Sequence, residues 1–210
     1  MRLGIFDSGR GGEFVAEKLK SLLPAHEYIV VNDLAHAPYG ERSYEEIQKL
    51  TEAAIQSLLA CDIIVIACNT ATAGAIDYLR LKHPDKIFVG FEPMIKPAAN
   101  ATKSNRITLL ATRATAYSTR TEQLITDYAQ SMTIDRPSTL GWAKAIDEDH
   151  EETIDLTEVK RTIDNGSDVI IIGCTHYIAL QERLEELFPS TQILEPTEAV
   201  ANQISQLTSS

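Results

Sequence analysis

Short apolar runs and amphipathic stretches alternate along this chain, a pattern that predicts strands and helices in turn and so an α/β architecture. Strands are expected at 2–6, 28–32, 62–67, 87–91, 107–111, 168–173 and 192–194. The runs at 62–67 and 168–173 are apolar on both faces, as central strands of a covered parallel sheet must be. Helical spacing fills the intervals. Val15, Leu19, Leu22 and Leu23 share one face, and Ile47, Leu50, Ala54 and Leu58 another. Ser43 with Glu46 reads as a capping box opening the second of these helices, and Thr119 with Glu122 opens a later one. Leu180, Leu184 and Leu187 mark a further helix, and Val200, Ile204 and Leu207 the last, before a frayed Ser/Thr tail. Periodicity is poor only over 133–155, where Asp147, Glu148, Asp149, Glu151 and Glu152 crowd together.

The pattern repeats. Ile63-Ile64-Val65-Ile66-Ala67-Cys68-Asn69-Thr70 matches Val169-Ile170-Ile171-Ile172-Gly173-Cys174-Thr175-His176, so that Cys174 lies 106 positions beyond Cys68. The first strand has its counterpart at 107–111 at nearly the same offset. Two similar halves of about 105 residues follow, each a parallel α/β sandwich.

Composition narrows the chemistry. The 210 residues carry 19 Lys+Arg against 30 Asp+Glu, a formal charge of −11, which argues against a nucleic-acid partner. No apolar run approaches the ~20 residues of a membrane span. The N-terminus meets Asp7 before an apolar leader could form, so a cytoplasmic location is expected. Three cysteines are too few for a disulfide framework and are expected as free thiols.

In open α/β sheets ligands bind beyond the carboxyl ends of the strands. Four polar motifs lie there: Asp7-Ser8-Gly9, Pro38-Tyr39-Gly40, Cys68-Asn69-Thr70 and Cys174-Thr175-His176. The glycines at 9, 11 and 12 match neither a dinucleotide fingerprint nor a Walker loop. The histidines show no metal-ligand spacing, and no lysine context suggests pyridoxal phosphate, so no metal and no cofactor are expected. Cys68 and Cys174 each end a strand and begin a helix, where amides and the helix dipole favour thiolate. Asp7 and His176 are placed to assist them, whereas Cys61 reads as a packing residue. If the halves face each other, two acid/base groups flank one carbon, which suits racemisation or epimerisation. Ser8, Asn69, Thr70, Thr175 and the loop amides supply donors for substrate carboxylates.

Together with Ala37-Pro38-Tyr39-Gly40-Glu41-Arg42-Ser43, Glu92-Pro93 and Lys96-Pro97-Ala98, these motifs resemble those of glutamate racemase, in that family's order and over nearly the whole chain. The resemblance implies two α/β domains related by a pseudo-twofold axis, residues 1–97 with 196–210 and residues 98–195, with the active site between them. It implies a cofactor-independent cytoplasmic enzyme supplying D-glutamate for peptidoglycan, and allows a homodimer. Cys68 would abstract the proton from the D-isomer and Cys174 from the L-isomer, assisted by Asp7 and His176. Substrate would be bound by Asp7, Ser8, Tyr39, Gly40, Asn69, Thr70, Thr175 and His176. An aspartate racemase, or a weak paralogue serving as a binding or regulatory protein, is the alternative. Arg10, Glu13 and Ile178 depart from the family pattern, and the chain is shorter than typical members, the loss falling between 133 and 168. Asp147 or Glu148 is the candidate for an acidic residue that supports catalysis in the family.

Overall fold

In the computed structural model, which describes residues 1–208, every strand is laid parallel to its neighbours in one of two four-stranded sheets. The sheets belong to two compact units, Met1–Glu92 with the segment from Pro196 onward, and Pro93–Glu195.

In the first unit β1 (Arg2–Asp7) and β3 (Ile63–Ile66) form the centre, flanked by β2 (Glu27–Asn32) and β4 (Ile87–Gly90), in the order β2-β1-β3-β4. The register pairs Leu3 with Tyr28 and with Ile63, and Ile64 with Phe88. Every side chain of β3 is buried, as its unbroken apolar run requires. Ile64 and Ile66 turn to a cluster with Ile47 of α2 (Tyr44–Ala54) and with Ala71, Ala75 and Leu79 of α3 (Asn69–Lys82). Alternation sends Leu3 and Ile5 the other way, where α1 (Gly11–Leu22) packs with α10 (Thr197–Thr208). The capping box of α2 is formed in full: Glu46 N–H donates to Ser43 Oγ and Ser43 N–H to Glu46 Oε2.

The second unit repeats the same strand order, β6-β5-β7-β8, with β5 (Arg106–Leu110), β6 (Thr133–Asp135), β7 (Val169–Ile172) and β8 (Gln192–Leu194). On its sheet, α4 (Ile95–Ala101) packs against β7, β8 and α6 (Thr119–Tyr128), its Ile95 and Ala98 buried among Ile107, Leu109, Val169 and Ile171. The remaining helices are α5 (Arg113–Ala116), α7 (Trp142–Asp147), α8 (Thr157–Asp164) and α9 (Gln181–Leu187).

Four local expectations change. β6 has no strand signal in the sequence because it is a three-residue edge, held by a bidentate pair in which Arg106 Nε and Nη2 donate to Asp135 at 2.6 and 2.9 Å. The cap of α6 is Ser118, whose Oγ accepts from Thr121 N–H at 3.0 Å; Glu122 is drawn instead to Arg136. The helix expected from Leu180 begins at Gln181, because Thr175–Leu180 is wound as a 3-10 segment. Of the Ser/Thr tail anticipated after Leu207, Thr208 still belongs to α10, and residues 209–210 lie outside the described ones. Among the described residues no helix is long and apolar enough to cross a membrane.

Candidate active site

In each unit a cysteine follows the central strand β3 or β7, and the two are held differently. Cys68 is the N-cap of α3: its extended backbone (φ −63°, ψ 115°) turns Sγ back over the first turn, where Ala71 N–H donates to it at 3.4 Å. Ser8 Oγ, from the loop after β1, lies 3.0 Å from the same sulfur. A hydroxyl and a helix amide that can both donate favour the charged form of a thiol that is only 6% exposed. Asp7, fully buried, accepts from Gly9 N–H at 2.8 Å and so shapes the turn that carries Ser8. Gly12 permits this approach, since a β-carbon there would stand 2.8 Å from Asp7 Cβ. Asn69 Nδ2 donates to the Phe91 carbonyl, tying the start of α3 to the end of β4. Thr70 is buried beside it.

Tyr39 and Gly40 lie in a 3-10 turn after β2. The Tyr39 ring is buried against Phe6, centroids 6.2 Å apart, and its hydroxyl donates to Asp33 Oδ2 at 2.7 Å. Burial first, then the Asp33 carboxylate, pushes the Tyr39 phenol well above its ordinary value. Asp33 also receives His36 Nδ1, at 2.8 and 3.0 Å from its two oxygens. Sequence reasoning passed over both Asp33 and His36; the available signal was an aspartate standing directly after a predicted strand.

Cys174 starts a 3-10 segment rather than an α-helix, and among the described residues no capping amide donates to its sulfur, unlike the arrangement expected for both thiols. Its Sγ instead faces His176 Nδ1 at 3.8 Å, and His176 Nε2 lies 3.1 Å from Asp147 Oδ1. Packing of α7 on the 3-10 segment brings the three together: Trp142 meets Tyr177 edge-on, centroids 5.4 Å apart, at one end of the helix and Asp147 meets His176 at the other. Of the two acidic candidates it is thus Asp147 that the fold brings to the histidine. Glu148 points to Lys144 and His150 at the surface. Thr175 is buried between the thiol and the imidazole in sequence, and Tyr177 is buried too, its phenol pushed up by burial and by Cys174. Cys61 is buried in the core of the first unit, its thiol pushed up by burial.

This arrangement has relatives. A family model described as Asp/Glu/hydantoin racemase matches residues 11–204. The chain belongs to that family. Membership makes it an isomerase of the amino-acid racemase class. The racemase chain is 38% identical to the glutamate racemase of Herpetosiphon aurantiacus, over 98% of this chain and 84% of that one. It is 36% identical to the glutamate racemase of a Roseiflexus species, over 98% of this chain and 78% of the relative. Among solved structures, Escherichia coli glutamate racemase in complex with L-glutamate and the activator UDP-MurNAc-Ala superposes with a TM-score of 0.85 at 33% identity, covering 98% of this racemase and 81% of that chain. Among the described residues, no group of three or more His, Cys, Asp and Glu could hold a metal ion.

Proposed function

We propose that this racemase interconverts L- and D-glutamate without a cofactor, by proton transfer at two cysteines. The observation that carries the reading is the recurrence of a strand-end thiol in both units, each with its own proton partner: Ser8 at Cys68, and His176 backed by Asp147 at Cys174. Relatives named glutamate racemase at 36–38% identity favour glutamate as the substrate.

In this mechanism one thiolate removes the α-proton from one face of the amino acid, and the other thiol delivers a proton to the opposite face. Cys174 acts as base on L-glutamate and Cys68 on D-glutamate. The electron pair left on the α-carbon passes into the substrate carboxylate, where Asn69, Thr70, Thr175 and the Tyr39-Gly40 turn supply donors. Turnover ends with the two sulfurs having exchanged protonation states. Asp7 keeps the Ser8 turn in shape, and His176 takes or returns the proton of Cys174. In the cytoplasm the D-glutamate formed would feed peptidoglycan synthesis, and a homodimer is compatible with the role.

Incubation with L- or D-glutamate in D2O, followed by NMR and by chiral separation, tests the reading. Loss of the α-proton with inversion from either isomer is expected. Cys68→Ala and Cys174→Ala should each abolish inversion; inversion at the unaltered rate in either variant overturns the two-thiol mechanism. Faster turnover of aspartate, run in parallel, overturns the substrate.

A further inference from the structure

Asp33 ties together two of the four polar motifs without belonging to either. Its backbone N–H donates to the Asp7 carbonyl at 2.9 Å, anchoring it to the strand end that carries Asp7-Ser8. Its carboxylate receives the Tyr39 hydroxyl at 2.7 Å on one oxygen and His36 Nδ1 on both, so both sides of the turn from Leu34 to Glu41 hang from one side chain. Arg42 closes the loop, Nε and Nη2 donating to the His36 carbonyl at 3.0 and 2.7 Å. The Asp33 side chain is only 12% exposed, against 50% for His36, so its bond to Tyr39 is sheltered from competing water.

We propose that Asp33 is a positioning residue of the first half-site, acting through the Tyr39 hydroxyl to hold the Tyr39-Gly40 turn against Phe6 and beside the Cys68 thiol. The inference rests on the glutamate reading above. The phenolic proton is committed to Asp33, so Tyr39 does not present that proton to a substrate carboxylate. What the turn offers an anion is the backbone amides of Tyr39 and Gly40, and these are useful only if the turn stays in place. A hydrogen bond to a buried charged acceptor is strong enough for that, and its loss costs roughly tenfold or more in an equilibrium or a rate.

A double-mutant cycle tests the assignment: the unaltered chain, Asp33→Ala, Tyr39→Phe and the pair, with Asp33→Asn added because its Oδ1 can still accept from Tyr39. Asp33→Ala should lower kcat/KM for glutamate by about tenfold, mainly through KM, with Asp33→Asn recovering about half of that loss on a logarithmic scale. In the Tyr39→Phe background, Asp33→Ala should cost less than about twofold. Equal losses in both backgrounds, or a loss under about twofold in the unaltered one, overturn the proposal. The same contact is read without turnover on tyrosine labelled with 13C at Cζ. Asp33→Ala should move the Tyr39 Cζ resonance at neutral pH, because the hydroxyl loses its acceptor, and an unmoved resonance overturns the contact. Should the unaltered chain fail to racemise glutamate while the Tyr39 signal responds to Asp33, it is the substrate reading that falls and not the Asp33–Tyr39 coupling.

Discussion

Oδ1 of Asp147 stands 3.1 Å from Nε2 of His176, and the other nitrogen of that ring faces the Cys174 sulfur. In the tautomer with its proton on Nε2, toward the carboxylate, Nδ1 would be the acceptor toward the thiol. Asp147→Asn should therefore lower kcat for L-glutamate by about 10²-fold, read by circular dichroism of the amino acid. Glu148→Gln, which disturbs only surface ion pairs, should stay within about twofold. Equal losses in the two variants would contradict this division of roles.

Ser8 bears on the other thiol. Its hydroxyl can donate to a Cys68 thiolate and stabilise the charged form, so Ser8→Ala should raise the pH at which Cys68 becomes reactive. The rate of iodoacetamide labelling of Cys68 against pH, followed by peptide mass spectrometry, gives the midpoint directly. A midpoint that falls or stays fixed would show that the hydroxyl does not serve the thiolate.

Cys61 should behave as a core methyl group does. It is 3% exposed, burial holds its thiol up, and its sulfur packs 3.2 Å from where a β-carbon on Gly4 would stand. In native protein it should label after Cys68 and Cys174. Cys61→Ala should cost about 1–2 kcal/mol in urea unfolding while leaving kcat/KM unchanged.

Gly12 is a question of space rather than of backbone conformation. Gly12→Ala would press on Asp7 Cβ and on the Asn32 side chain, so helix α1 or the Asp7 turn must shift. A loss of about 1–3 kcal/mol in stability is expected, with activity falling further than melting temperature alone would account for.

Asp168 sets an acid limit on the second unit. Burial acts to raise its pKa, but donors from Thr102, Lys103 and Ser104 outweigh burial and hold it below the ordinary 3.8. A carboxylate with a lowered folded pKa contributes its full stability above the unfolded value and loses it as pH falls. Stability measured by urea unfolding should drop below about pH 4, and Asp168→Asn should flatten that drop.

What could be read in advance followed from local pattern. The all-apolar runs at β3 and β7 announced central strands, Ser43 with Glu46 announced a helix start, and the like placing of Cys68 and Cys174 announced a thiol after the central strand of each unit, because each signal lies within a few neighbouring positions. β6 and α7 escaped because their stability comes from partners far along the chain: Arg106 for the edge strand, Tyr177 and His176 for the helix. The choice between Asp147 and Glu148 could not be made from adjacent positions, since only the packing of Trp142 on Tyr177 sets which of them meets the imidazole. Asp33 showed only its place after a predicted strand, its role being a convergence of Asp7, His36 and Tyr39.

The unlike surroundings of the two sulfurs have a thermodynamic consequence. Mirror-image amino acids have an equilibrium constant of one, so a racemase must show the same kcat/KM in both directions at any pH. The separate values of kcat and KM are under no such constraint. With a hydroxyl and an amide at one sulfur and an imidazole–carboxylate couple at the other, the proposed two-thiol mechanism would have the two antipodes meet groups that are not reflections of each other. Each antipode is then free to saturate the enzyme at its own concentration, and occupancy by one hand can be tuned while the racemic balance point stays where symmetry puts it.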